Sequence, residues 1–444
     1  MELAQLAVKK AVKFGATEAE AYVITNKTTQ VSFAQEIQDI KTVDSTGLGL
    51  RIALGKKLAL YSTSILNESE VVKAAEIAVK IARVAPEDPH WNSFNTYYGL
   101  TNVQGIYDKS IIEMEPSTII EDVSSAIKTV TEFDKRVQPT RGNLTLSVAN
   151  GIIVNSNDDY VEDKGTMVSS WVSVKARDAG QESTGSESVQ TRNWNELNLN
   201  KIAEESARKA LTFFGAKPIE SGQIPVVLRN QISANILGVM LSSPINASTV
   251  QRGGSPLSDK LGDQIAADNI NITDDGTYTG GVGTRMCDAE GCPTQRTPII
   301  EDGVLKNFLF DSYTAKREDV DPTGNAARRS YASPPSPAPT NLILKSGSAS
   351  PEDIIENTKN GLYVESVIGA QLSNTVSGNL NAAVTRGYVI NNGELGAPVK
   401  GVILAGNFYE VLMEGYAILG NDIRNNGSIY SPTVKLDKIT VAGK

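Results

Sequence analysis

The residues able to do chemistry gather late in the chain. Asp288 and Glu290 lie two residues apart, with Cys287 and Cys292 on either side. In a strand, alternation sets both carboxylates on one face, which suits either a functional acid pair or an anchor for Arg285 and Arg296. The two thiols lack a second ligand pair for a metal, and free cysteine commonly behaves as a small core residue. Their spacing is no disulfide framework, and a reduced state is expected. Farther along, Arg328-Arg329-Ser-Tyr331 offers two guanidiniums that can fork onto a carboxylate or onto carbonyls, beside a rigid ring with a polar tip. That set suits contact with a peptide; the bland alternative is a solvated basic turn. The segment Ser333-Pro-Pro-Ser-Pro-Ala-Pro-Thr340 that follows reads as stiff extended chain. It can wall a cleft or merely connect strands.

Other chemistries are excluded by counting. The 444 residues contain 1 histidine, His90, in Pro86-Glu-Asp-Pro-His-Trp91, a linker-like setting that reads as surface or packing. No mechanism needing two histidines is open to this chain, and a Ser-His-Asp arrangement is improbable. Gly280-Gly-Val-Gly283 lacks the Lys-Ser/Thr and the following helix of a phosphate loop, so it reads as a turn. Lys and Arg total 42 against 51 for Asp and Glu, a net charge of −9 that repels nucleic-acid backbones. No apolar run is long enough for a membrane span and the N-terminus reads as an amphipathic helix, so a cytoplasmic location is expected.

These residues must be carried by an α+β fold: two N-terminal helix-strands-helix modules with antiparallel sheet, then a mostly β domain. In the first module, residues 1–85, Leu3, Leu6, Ala7, Ala11 and Phe14 predict an amphipathic helix stopped at Gly15. Strands are predicted from Glu20 to Phe33 and as two short runs between Gly47 and Tyr61 about a turn at Gly55. Asn67 with Glu70 marks the start of a closing helix striped by Val71, Val72, Ala75, Val79 and Ala82. Residues 86–110 read as a linker or an extended excursion over the surface. The central module, 111–217, opens at Pro116-Ser117 with a stripe at Ile120, Val123, Ile127 and Val130. It continues with strands at 143–149, 152–155 and 166–177 and a second helix that stops at Gly215. From 224 to 444 strands dominate, with helices predicted at Ile232–Leu241 and from Ser350 to Gly361.

Six ordered blocks in the last domain carry a family resemblance. They are Asp288-Ala-Glu290-Gly291-Cys-Pro-Thr294-Gln295, Ile299-Ile-Glu-Asp-Gly303-Val-Leu305, Pro322-Thr-Gly-Asn-Ala-Ala-Arg328-Arg329-Ser-Tyr331-Ala332, Pro351-Glu-Asp-Ile-Ile355, Pro398-Val-Lys-Gly401 and Gly420-Asn-Asp-Ile423. Together they resemble the C-terminal domain of the TldD/PmbA family, the "modulator of DNA gyrase" peptidases. Catalytic members carry His-Glu-x-x-x-His on the first helix of that domain and a cysteine ligand in its last loop, where zinc needs such donors plus an open position for water. Here the matching helix reads Gln231-Ile-Ser-Ala-Asn-Ile-Leu-Gly-Val-Met-Leu-Ser-Ser243 and the last loop Asn425-Asn-Gly-Ser-Ile-Tyr-Ser-Pro432. Both halves of the ligand set are missing, as in TldE-like members.

The resemblance therefore implies a non-metal-binding subunit of a heteromeric zinc metallopeptidase that processes unfolded or small peptides. Zinc is expected in a TldD-like partner and none in this chain. Asp288, Glu290, Asn325, Arg328, Arg329 and Tyr331 are the expected lining of a peptide cleft. The rival is a non-enzymatic homodimer that binds peptides or acts as a scaffold.

Overall fold

The computed structural model describes residues 1–414 and 416–444. Its first half rests on β1 (Glu18–Phe33), β2 (Ile37–Leu54), β3 (Lys57–Thr63), β4 (Val137–Asn155), β5 (Tyr160–Asp178) and β6 (Gln181–Thr191). They form one 6-stranded sheet in the order β3-β2-β1-β4-β5-β6. The two modules read from the sequence thus share a sheet, because β1 runs antiparallel to β4 from Glu20↔Asn155 to Phe33↔Gly142. The fold is α+β, as expected.

Several strands exceed their sequence signal. β2 begins at Ile37, and its first half is exposed and polar, so no apolar alternation announces it. β4 is one strand where two short ones were expected. β6 was missed altogether: its inward positions are Ser183, Gly185 and Glu187, not apolar residues. Gly185 is required by packing, since a Cβ there would collide with the backbone of Ser206 and Ala210 on the helix Leu199–Leu211.

Helices cover one face of the sheet. Glu2–Lys13 and Glu68–Val84 pack on β1 and β2 through Ala7, Ala11, Leu50, Ile52, Ala75 and Val79. Asn67 caps the second helix by accepting from the Glu70 N–H at 2.9 Å. The helices Pro116–Phe133 and Leu199–Leu211 cover the other half. The expected stripe of the former is off by one residue at its start: Ile119, Val123, Ala126 and Val130 are buried, whereas Ile120 is exposed. Spacings of four, three and four residues keep the buried set on one face, and Ile120 lies about 100° from it.

The opposite face of the sheet is covered by the C-terminal domain. There the strands 360–368, 222–228, 434–442, 402–407 and 379–391 pair in turn, and the first pairs again with the last, closing a barrel. A second sheet joins 272–275, 296–301 and 342–344 to the late strands 429–431 and 424–426. The helix Asn230–Leu241 packs Ile236, Leu237, Met240 and Leu241 into the core between them. The predicted helix after Ser350 is shorter than expected. It spans Pro351–Glu356 with a full capping box, and Gly361 already belongs to a strand. The proline-rich run is extended but carries one short pairing, Ser336–Pro337 with Ala326–Ala327. Gly280–Gly283 is a turn, as read.

Residues 86–110 are bound rather than free. Gly99 donates to the Gly291 carbonyl at 3.1 Å and Thr101 to that of Met286 at 2.9 Å, while Trp91 and Phe94 are buried. His90 is exposed. Among the described residues no helix is long and apolar enough to cross a membrane.

A close backbone approach joins the halves: Tyr331 lies across β2, its ring over Gly47 and its carbonyl against Gly49. Gly49 has no left-handed φ, so only space demands glycine there. Gly49→Ala should cost about 1–3 kcal/mol by overpacking and lower the urea midpoint. An unchanged midpoint would show that the loop is not held against β2.

Candidate functional site

Two polar assemblies sit where the sheet meets the C-terminal domain. The first is a buried ion network. Glu20 on β1 and Arg51 on β2 are directly opposed in register. Arg51 makes a forked contact with Glu20 at 3.0 and 2.9 Å, and reaches Glu290 of the C-terminal domain at 2.8 Å. Arg328 donates to Glu20 Oε1, the oxygen that also accepts from Arg51 Nε, and to the Ala289 carbonyl. Its guanidinium lies 4.9 Å from the centre of the Tyr22 ring. Side-chain exposure is 0% for Glu20, 10% for Arg51 and 1% for both Glu290 and Arg328.

Two cations and two carboxylates thus neutralise each other across the domain boundary. Burial opposes the charge on Arg51, but Glu20 and Glu290 outweigh it and raise its pKa. Burial likewise opposes ionisation of Glu290, yet Arg51 and the Ser312 N–H hold it below the ordinary carboxylate range. Asp288 goes the other way, pushed up to about 7 by burial and by the charge of Glu290.

The sequence placed Asp288 and Glu290 on one face of a strand, near Arg285 and Arg296. Instead they bracket a tight turn that closes through Gly291 at φ +79. Asp288 accepts the main-chain N–H groups of Glu290, Cys292 and Ala326. It organises the turn, and Glu290 pairs with Arg51. Asn325 donates to Asp274 at 2.7 Å and to the Ala338 carbonyl, which pins the start of the same segment. Asp288, Glu290, Asn325 and Arg328 are therefore brought together as internal ties, whereas Arg329 is exposed and Tyr331 half-buried against β2. Cys287 and Cys292 are free and buried, and burial raises both thiols.

The second assembly is a cavity of about 560 Å³ between β5, β6 and the barrel. The two segments that the resemblance singled out converge on it: Gln231 and Asn235 from the helix, Asn426 from the last loop. Around them the charges are dense. Glu187 is shared by Lys209 at 2.6 Å, Arg424 at 2.9 Å and Arg229 at 3.0 Å. Glu365 lies 3.5 Å from Lys209 and 3.7 Å from Arg386, whose guanidinium stacks 4.0 Å from the Phe213 ring. Burial would raise Glu187, but Arg229, Lys209 and Arg424 hold it at about 2. Among the described residues no group of three or more His, Cys, Asp or Glu side chains is placed to hold a metal.

The same side chains protect a sheet edge. β6 is an outer strand, and its outward carbonyls at Thr184, Ser186, Ser188 and Gln190 accept from Arg386, Lys209, Arg424 and Asn425. Strand addition at that edge is blocked.

None of Glu187, Lys209, Arg229, Arg386 or Arg424 was picked from the sequence, nor were Glu20 and Arg51. A signal existed for one of them: Arg51 is a lone charge inside Leu48-Gly-Leu-Arg-Ile-Ala-Leu54, an otherwise apolar run. A buried charge of that kind needs a partner.

A sheet covered by helices on one face and joined by buried ions to a barrel domain on the other is the scaffold that carries both assemblies. Family models for the PmbA/TldA metallopeptidase match as domain 1 over residues 19–82, the central domain over 109–213 and the C-terminal domain over 221–443. The chain belongs to the PmbA/TldD family. An uncharacterised protein of Methanocaldococcus jannaschii is 29% identical over 96% of this chain and 98% of its own. Metalloprotease PmbA of Escherichia coli O157:H7 is 23% identical, covering 99% of this chain and 96% of its own. Among solved structures, TldE of Thermococcus kodakarensis has the same fold, with a TM-score of 0.91, 22% identity and coverage of 99% and 100%.

Two outcomes test the electrostatics. Arg51→Met leaves Glu20 and Glu290 buried with too little cation and should cost about 3–5 kcal/mol in urea denaturation; a loss under about 1 kcal/mol would mean the network carries no weight. Glu187 has a folded pKa of about 2 against an ordinary 4.5, so its contribution is complete above 4.5 and is lost as pH falls towards 2. Wild type should lose roughly 3 kcal/mol more than Glu187→Gln across that window. Parallel acid limbs for the two proteins would contradict the assignment.

Proposed function

We propose that this chain is the non-metal-binding subunit of a two-component metallopeptidase, the partner supplying the metal and this chain holding the peptide. The observation that carries the reading is the cavity where the helix Asn230–Leu241 meets the 424–431 loop. Zinc is held by imidazole, thiolate and carboxylate donors. Gln231, Asn235 and Asn426 offer amides instead, and Lys209, Arg229 and Arg386 line the same space. The two carboxylates of the lining, Glu187 and Glu365, are already paired with these cations, and neutral amides do not replace the missing donors. The residues here do not fit zinc, and no hydrolytic step is derived in this chain.

The amides and cations do fit a peptide, whose main chain presents donors, acceptors and a terminal carboxylate. Support also comes from the family, whose named members include metalloproteases of the TldD and PmbA type. In the proposed pair, a TldD-like chain supplies zinc, which activates water for attack on the peptide carbonyl. This chain completes an enclosed cytoplasmic chamber, with exposed Arg329 and the rim near Tyr331 available to an unfolded or small peptide. Asp288, Glu290, Asn325 and Arg328 support that rim from beneath.

Co-expression with a family member carrying His-Glu-x-x-x-His tests the proposal. The pair should co-purify and cleave unstructured peptides in a zinc-dependent way, and this chain alone should not. Zinc-dependent cleavage by the isolated chain would overturn it, and a stable homodimer that refuses every such partner would favour the scaffold reading.

A further inference from the structure

The cavity beside Glu187 carries more positive charge than its own carboxylates neutralise. Among its lining residues Lys209, Arg229 and Arg386 face Glu187 and Glu365, a formal surplus of one positive charge, and Arg424, outside the lining, adds another cation on Glu187. The next carboxylate, Asp422, is engaged by Asn230 and Thr433. Lys209 is spent on Glu187, Glu365 and the Ser186 carbonyl, and Arg386 on main-chain carbonyls and Glu365.

Arg229 and Arg424 are not spent. Each uses only one terminal nitrogen, Nη2, which in Arg229 donates to Glu187 and in Arg424 to Glu187 and the Ser188 carbonyl; the other guanidinium nitrogens of both have no partner among the described residues. The side chains of Gln231, Asn235 and Asn426 likewise make no hydrogen bond among the described residues, and all three line the cavity. Side-chain amides both donate and accept. The volume of about 560 Å³ lies within the range of small-ligand sites.

We propose that this cavity binds the C-terminal carboxylate of a short peptide, the carboxylate on the unused guanidinium N–H groups of Arg229, with Arg424 adding charge from beyond Glu187, and the preceding main-chain amides against Gln231, Asn235 and Asn426. A guanidinium pairs with a carboxylate through charge-assisted hydrogen bonds. Glu187 and Glu365 stand close enough to repel a dianion, which favours a singly charged carboxylate over phosphate. Because the β6 edge is already capped, the peptide is gripped by its end and by side-chain amides, not as an added strand. The proposal rests on the peptide-holding reading above and gives it a polarity: the chain fixes the C-terminal end of its peptide and leaves the other end to the partner.

The probe is acetyl-trialanine with a free C-terminal carboxylate, compared with its C-terminal amide by calorimetry on the full-length chain, with inorganic phosphate as competitor. The acid should bind at least about tenfold tighter than the amide, the worth of one charge-assisted hydrogen bond. Arg229→Gln and Arg424→Gln should each shrink that preference, and phosphate should compete weakly. Arg424 is 32% exposed and serves as the safer variant should Arg229→Gln disturb the fold, which thermal melting checks. Equal affinity for acid and amide, a preference that survives both substitutions, or phosphate competing as well as the acid would overturn the site. A chain that fails this test yet still supports cleavage in the co-expressed pair refutes the carboxylate site alone. A chain that passes it but supports no cleavage keeps the site and loses the partner role.

Discussion

The architecture depends on a sheet that is packed against on both faces, the exposed first half of β2 apart. Helices cover one side through ordinary apolar packing, and the C-terminal domain meets the other through the ion network and a small apolar contact of Cys287 with Ile153 and Val161. Apolar burial is tolerant of sliding, because any greasy surface fits another roughly as well. A forked Arg51–Glu20 pair that must also reach Glu290, with Arg328 sharing one Glu20 oxygen, is not tolerant. Replacing a buried ion network by well-packed hydrophobic residues is often neutral in stability. Its value lies in register: β1, β2 and the C-terminal domain must all be in place for these four side chains to pair. Tyr331 on Gly47 and Gly49, and the 86–110 segment threaded along Gly291 and Met286, reinforce the same placement.

With that placement fixed, the cavity follows. β6 ends the sheet just where the helix Asn230–Leu241 and the 424–431 loop emerge from the barrel. Two of the side chains that satisfy its edge carbonyls, Lys209 and Arg386, also line the cavity, so the same cations both protect an edge strand and charge the site. Glu187 is the hinge of this economy: it is a strand residue facing inwards, and three cations from three different elements converge on it. The low pKa of that carboxylate is the electrostatic signature of the convergence.

The fold was legible in the sequence wherever burial is apolar and periodic. The stripes of Glu2–Lys13 and Glu68–Val84, the Asn67 cap and the Ser350 capping box could be read because helical spacing and capping chemistry are local. β6 and the first half of β2 could not, since one buries hydroxyls, glycine and a glutamate and the other buries almost nothing. The stripe led by Ile120 slipped because two adjacent isoleucines compete for one face and only tertiary packing chooses. The candidate site divided in the same way. The blocks around Asp288 and Arg328 were visible as chemistry, but that they close on Glu20 and Arg51, over two hundred residues earlier, is a long-range pairing with no local trace. Composition could show that two segments carry no histidine or cysteine. That they meet at a cationic cavity is a property of the fold.

The claim at the centre of this account is that the cavity between Gln231, Asn235 and Asn426 is built for an anionic peptide end and not for zinc. Crystals of the chain soaked in a zinc salt and measured across the zinc absorption edge test it directly. The account predicts no anomalous peak within that cavity, whatever ions decorate the surface. A peak there, coordinated by those side chains, would contradict it.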